Sequence, residues 1–196
     1  MFHILIKMAE TSTQVSNQIG INGDISYQLP PLLFHSGPYS QWSKNHKPFT
    51  VSGKAYVCCE QYMMAEKARL FEDYESMKRI MNTNNCREQK KLGRQVQNFD
   101  QKIWEANCDE IVFQGNLAKF SQNEDLKEML LATGNQLIAE AAPNDTIWGI
   151  GLHEDDPDAL DPKLWNGQNK LGNAIMKVRS ELSRENCSEN SEKEKL

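Results

Sequence analysis

The fold of this chain is constrained most by its helix-period apolar stripes, and the most informative stripe begins at Cys59. With residues set about 100° apart, Cys59, Met63, Met64, Leu70 and Phe71 fall in one arc of about 140°, the core-facing side of a helix expected over about 59–74. Glu60 and Lys67, two turns apart, point into the same arc. A carboxylate and an ammonium among Met and Phe side chains are costly to bury, and they are tolerated chiefly when paired or lining a pocket. The purely structural alternative is a buried ion pair, or two side chains that snorkel past the helix edge.

Other elements follow from the same reasoning. Phe49-Thr50-Val51 and Lys54-Ala55-Tyr56-Val57 flank the turn dipeptide Ser52-Gly53 and read as a β-hairpin. A polar stretch at 82–85 precedes a short helix near 88–96. Asp100 is placed to cap a helix running to Phe120, with Ile103, Trp104, Ile111 and Val112 inward, and Lys119 projects between Ile111 and Val112. Ser121-Gln122-Asn123-Glu124 has the form of a capping box before a helix over 125–133 that ends at Gly134. Residues 137–141 suit a strand. A last helix over about 170–182 carries Leu171, Ala174, Ile175, Val178 and Leu182 on one stripe. The expected architecture is a predominantly helical α+β single domain with a small hairpin or sheet over residues 31–182. A polar, aperiodic arm (1–30) precedes it and a charged tail (183–196) follows, both expected to be disordered.

Composition narrows the function classes. With 39% apolar and 25% charged residues, 196 residues suffice for one real core. A net charge of −5 argues against wrapping long nucleic acid, although a local basic pocket for a small anion remains compatible with it. Five cysteines with no CxxC pair do not make a disulfide framework. No stretch has the length of a membrane span, and the apolar first residues are too short for a signal peptide, so a cytoplasmic location is expected, with Met8 an alternative start to Met1. His3, His35, His46 and His153 are scattered, so no metal is expected. The acidic run 154–158 lacks the glycine and terminal glutamate of a calcium loop, and no phosphate-binding Walker loop or nucleophile elbow is present.

Two further segments carry candidate chemistry. Asp145-Thr146-Ile147-Trp148-Gly149-Ile150-Gly151 sets an acid near an indole that could stack on a planar base, with Gly149 permitting close backbone approach; a tight turn with a core Trp is the structural alternative. Asn169 and Lys170 open the last helix, whose amides could receive a phosphate, and Lys91-Leu92-Gly93-Arg94 offers a second phosphate contact.

In order along the chain, Gly37-Pro38-Tyr39-Ser40-Gln41-Trp42, Glu60-Gln61-Tyr62-Met63 with Lys67-Ala68, Leu92-Gly93-Arg94, Phe99-Asp100 with Trp104, Ala118-Lys119-Phe120, Leu130 with Thr133-Gly134, Asp145 with Trp148-Gly149, and Asn169 with Leu171-Gly172 and Arg179 resemble the NADAR superfamily, which includes YbiA-like N-glycosidases. The resemblance implies a hydrolase of N-glycosyl bonds without cofactor, metal or obligate protein partner. Its two activity groups are removal of ADP-ribose from modified guanine, in a nucleotide or locally in nucleic acid, and cleavage of ribosylamino-pyrimidine phosphates of riboflavin biosynthesis. A silent ADP-ribose or NAD reader is the non-enzymatic alternative. By the resemblance Glu60, Lys67, Trp104, Lys119, Asp145 and Trp148 are pocket residues, and Arg94 and Asn169 position substrate, with Gly149 and Gln61 counted beside them. Gln61 stands where riboflavin-linked members tend to carry His. The implied catalytic set is Lys67 as a Schiff-base nucleophile, with Lys119 as the alternative amine, Glu60 moving protons and Asp145 assisting; direct attack by water is the competing route.

Overall fold

The computed structural model describes residues 16–19, 25–44 and 46–193. It divides at Pro30 into two compact units. In the first, β1 (Ser16–Ile19) and β2 (Ile25–Gln28) pair antiparallel. The rest of the expected arm, His3 and the choice between Met1 and Met8 lie outside the described residues.

The second unit is an α+β domain dominated by helices, as expected. β3 (Leu32–Phe34) pairs in parallel with β6 (Ile138–Glu140), and β4 (Phe49–Val51) and β5 (Lys54–Tyr56) form the hairpin across Ser52-Gly53. Both turn residues have positive φ, 49° and 74°, the geometry that matches strand twist in a tight hairpin. The parallel β3–β6 pair is a long-range contact with no local signal.

Helix α1 (Cys59–Leu70) buries Cys59, Met63 and Met64 on the expected side, and buries Gln61, Tyr62, Ala65 and Ala68 outside it as well. It stops short of Tyr74 because Glu72 turns to φ 57° and Asp73 caps a separate helix, α2 (Tyr74–Met81), through Ser76 N–H. α3 (Cys86–Gly93) starts earlier than expected, since the Asn85 carboxamide accepts from the N–H groups of Arg87 and Glu88. A Cβ on Gly93 would collide with the Met64 side chain, so glycine there sets how closely α3 approaches α1.

Asp100 caps α4 (Gln101–Ser121) through Ile103 N–H, as expected. Ile103 itself is exposed, correcting its inward assignment. The capping box does not form: Ser121 ends α4, and the Asn123 side chain binds the backbone of Lys47 and Lys119 instead of capping α5 (Glu124–Leu131). Gly134 has φ 53° just beyond that helix. α6 (Lys170–Lys193) has Leu171, Ile175, Val178 and Leu182 fully buried, but continues past the expected end into the residues assigned to a disordered tail. The Glu181–Arg184 pair, one turn apart, supports that continuation. No helix among the described residues is long and apolar enough to cross a membrane.

Candidate active site

The site forms where the N-terminal half of α1, the face of α3, the end of β6 and the 145–148 turn meet. Glu60, the second residue of α1, is 5% exposed. The Trp42 indole Nε1 donates to its Oε2 at 3.1 Å, while Oε1 has no partner. Burial pushes the Glu60 carboxyl up, opposed by Lys90, by the Trp42 hydrogen bond and by Arg94, and Asp145 adds to the rise.

Lys67 is half-buried on the same helix and does not pair with Glu60. Its ammonium stands over the rings of Phe99 (4.1 Å to the centroid) and Trp104 (5.2 Å), without a hydrogen bond or ion pair to any described residue. Burial, then the nearby Arg94 guanidinium, lowers its pKa. Arg94 thus acts on both groups, favouring an ionised Glu60 and a neutral Lys67.

Beside them lies an open basin of about 460 Å³ lined by Trp42, Arg87, Lys90, Lys91, Arg94 and Gln95. The four cations recur at i, i+3, i+4 and i+7 along α3 and its cap, so they share one helix face. None has a carboxylate within ion-pair distance among the described residues, and like charges at this spacing repel. Such a surface is suited to an anionic ligand. Arg94 was legible in the sequence; Arg87 and Lys90 were missed, although the same helical projection applied to 86–94 would have found them.

Glu140, the last residue of β6, is half-buried and supplies the second carboxyl of the site, with its Oε2 buried. Its Oε2 and Glu60 Oε1 are the buried side-chain oxygens left without a partner among the described residues. Burial, then Asp145 and Glu60, push its pKa up to about 7, against Lys90. The sequence marks it only as a strand residue, because its strand gives no hint of which carboxylates the fold brings near.

Several expected site residues act on the chain itself. Asp145 Oδ1 accepts from Ile147 N–H (3.1 Å) and Trp148 N–H (2.8 Å), holding the turn that presents the half-buried Trp148. A Cβ on Gly149 would sit 2.8 Å from Glu140 O, so its close approach is to β6. Asn169, at φ 51° and 2% exposed, donates to Ile138 O (2.9 Å) and accepts from Glu140 N–H (3.1 Å), extending β6 with a side chain. Gln61 accepts from Val57 N–H and donates to Ile80 O and Thr83 O, tying the hairpin exit to the loop before α3. Lys119 is fully buried, its ammonium donating to Pro38 O (2.5 Å) and Ser40 O (3.2 Å). It braces the loop that carries Trp42.

The α6 N-terminus is also occupied, contrary to the expectation of a phosphate site. Lys170 N–H and Leu171 N–H donate to Ile147 O and Trp148 O, and Lys170 Nζ pairs with Asp109 at 2.9 Å. Among the described residues no cluster of His, Cys, Asp and Glu could hold a metal ion.

The family model for the NADAR domain matches residues 33–183. N-glycosidase R617 of Acanthamoeba polyphaga mimivirus is 44% identical over 146 residues, 73% of this chain and 86% of that protein. N-glycosidase YbiA of Escherichia coli (strain K12) is 29% identical over 136 residues, covering 69% and 76% respectively. The NMR structure of E. coli YbiA superposes with a TM-score of 0.63 at 25% identity, covering 81% of this chain and 89% of that one. The match spans the helices and strands that build the site, and on it the chain belongs to the NADAR domain family, the group of hydrolases that includes these N-glycosidases.

Proposed function

We propose that the N-glycosidase activity of this family is directed here at a phosphorylated ribosyl-amine, specifically ADP-ribose attached to the amine of a guanine. The observation that carries this reading is Lys67: an amine with lowered basicity and no bonded partner, beside an arginine that also serves a buried carboxyl. A glycosylamine opens to an imine at the sugar's C1, and a neutral amine can add there. Lys67 loses a proton on adding while the imine nitrogen gains one; the C1–N bond to the base then breaks with its electron pair leaving on nitrogen, which gains a second proton and departs as an amine. Water then adds to the Lys67 Schiff base, releasing the sugar and the free amine. Glu60, its Oε1 free, takes the proton that Lys67 gives up and returns it to the imine nitrogen.

Four cations in one basin exceed what a single phosphate monoester requires and suit the pyrophosphate of ADP-ribose. Trp104 beside Lys67 and Trp148 on the Asp145 turn are available to stack on planar rings. With a net charge of −5, any contact with a nucleic acid strand is confined to phosphates at this basin.

The test is incubation with ADP-ribosylated guanosine and, in parallel, with a ribosylamino-pyrimidine phosphate, each with and without borohydride. Release of guanosine with a trapped sugar mass on Lys67 is the expected result. Turnover of the pyrimidine compound alone reassigns the substrate, and turnover by Lys67→Ala without an adduct overturns the covalent route. ADP-ribose affinity with no release from either compound identifies a binding module.

A further inference from the structure

We propose that Glu140 is the proton donor to the leaving nitrogen, a role that its buried, unpartnered Oε2 at the end of β6 leaves it free to perform. The proposal rests on the substrate reading above and supplies a group that it lacks. The nitrogen must gain two protons to leave as an amine: Glu60 returns the one it takes from Lys67, and the second, needed as the C1–N bond breaks, requires another acid. Asp145 does not fill the gap, because one of its oxygens is committed to two backbone N–H groups of its own turn.

The position of Glu140 is built with care. Asn169 holds its N–H, Ile150 N–H donates to its carbonyl, and Gly149 permits the 145–149 turn to press against that carbonyl. The backbone is pinned on both sides while the carboxyl end is left unbonded. An idle acid held this way costs stability and is explained by use, since a buried polar oxygen without a partner is rare in folded proteins. The charged groups facing it are Asp145, Glu60 and Lys90. The two neighbouring carboxyls differ in their partners: the Trp42 hydrogen bond and Arg94 favour the ionised form of Glu60, and the Glu60 charge in turn favours the protonated form of Glu140. A carboxyl pushed up to about 7 is poised to give its proton near neutrality.

In the reaction, the proton on Glu140 passes to the nitrogen as the C1–N bond breaks, leaving a Glu140 carboxylate. That carboxylate takes one proton from the water that adds to the Schiff base, the other passes to the Lys67 nitrogen as the carbinolamine collapses, and Glu140, Glu60 and Lys67 are restored with no other reactant consumed.

The experiment compares wild type with Glu140→Gln on ADP-ribosylated guanosine from about pH 5 to about pH 9. The wild-type kcat/KM is expected to fall as pH rises through about 7. The variant is expected to be about a hundredfold slower or worse at about pH 6, with that descending limb gone. Full activity and an unchanged profile in the variant overturn the proposal while the substrate reading stands. If wild type releases no guanosine, the substrate reading fails instead, and carboxyl-carbon NMR of the substrate-free protein decides Glu140 alone. A resonance, assigned by its loss in Glu140→Gln, that titrates near 7 and moves down in Glu60→Gln supports the assignment; one that titrates with ordinary carboxylates refutes it.

Discussion

Trp42 Nε1 donates to Glu60 Oε2 at 3.1 Å, and this bond joins a loop braced by a buried lysine to the acid at the start of α1. Because the bond favours the ionised carboxylate, Trp42→Phe is expected to raise the Glu60 pKa further. The acid limb of kcat/KM should move to higher pH, with activity about tenfold lower on that limb and recovering above it, since a hydrogen bond to a charged group is worth roughly 1.5–3 kcal/mol. An unmoved limb in a pH–rate profile would detach Trp42 from the chemistry.

Glu140→Gln should stabilise the protein at alkaline pH even as it impairs it. A carboxyl raised in the folded state to about 7 favours folding while protonated, and this contribution is lost as pH climbs from the ordinary carboxylate range through about 7. Glutamine stays neutral throughout. The variant is therefore expected to exceed wild type by roughly 1–3 kcal/mol at about pH 8 and to match it at about pH 4, a tenfold change in acidity corresponding to about 1.4 kcal/mol. Denaturant unfolding at the two pH values measures this; equal gains at both would place the cause elsewhere.

At Asn169 two costs separate. Asn169→Gly keeps the φ of 51° accessible but removes both bonds to β6, whereas Asn169→Ala removes the bonds and strains the backbone. Stability should decline from wild type to Gly to Ala, the last step by about 1 kcal/mol. Thermal unfolding checks the order, and an Ala variant as stable as Gly would show the left-handed turn is not held.

The outer cations test the anion basin. Arg87→Gln with Lys91→Gln should raise KM for a pyrophosphate-bearing substrate about tenfold and flatten its salt dependence, leaving kcat unchanged. Because the pair stands at i, i+4, its removal should also stabilise α3 by a few tenths of a kcal/mol. A fall in kcat at constant KM would move these residues out of binding.

The local signals proved readable where neighbours in sequence settle the matter. The Ser52-Gly53 hairpin, the Asp100 cap and the stripe from Leu171 to Leu182 are all present. So are a buried Glu60 and an inward Lys119, because a helix of 3.6 residues per turn fixes which way each points. Two expectations failed where a polar group had two chemically equivalent uses. Ser121 is expected to open a capping box before α5 but ends α4 instead, and the Asn123 that precedes α5 binds the backbone of Lys47 and Lys119. The amides opening α6 could take a phosphate or the carbonyls of Ile147 and Trp148, and the carbonyls have them.

By itself, then, the sequence determined the helices, their buried faces, and the presence of an acid and an amine on the inner side of α1, since these follow from the local period of apolar residues. Tertiary structure alone decided what those groups meet. Lys67 met aromatic rings in place of Glu60, Lys119 met the carbonyls of a loop, and Glu140 was brought beside Glu60 from the far end of a parallel strand pair. Partners distant in sequence leave no periodic trace, and the acidity of a carboxyl is set by the charges and water around it, which only the folded chain arranges.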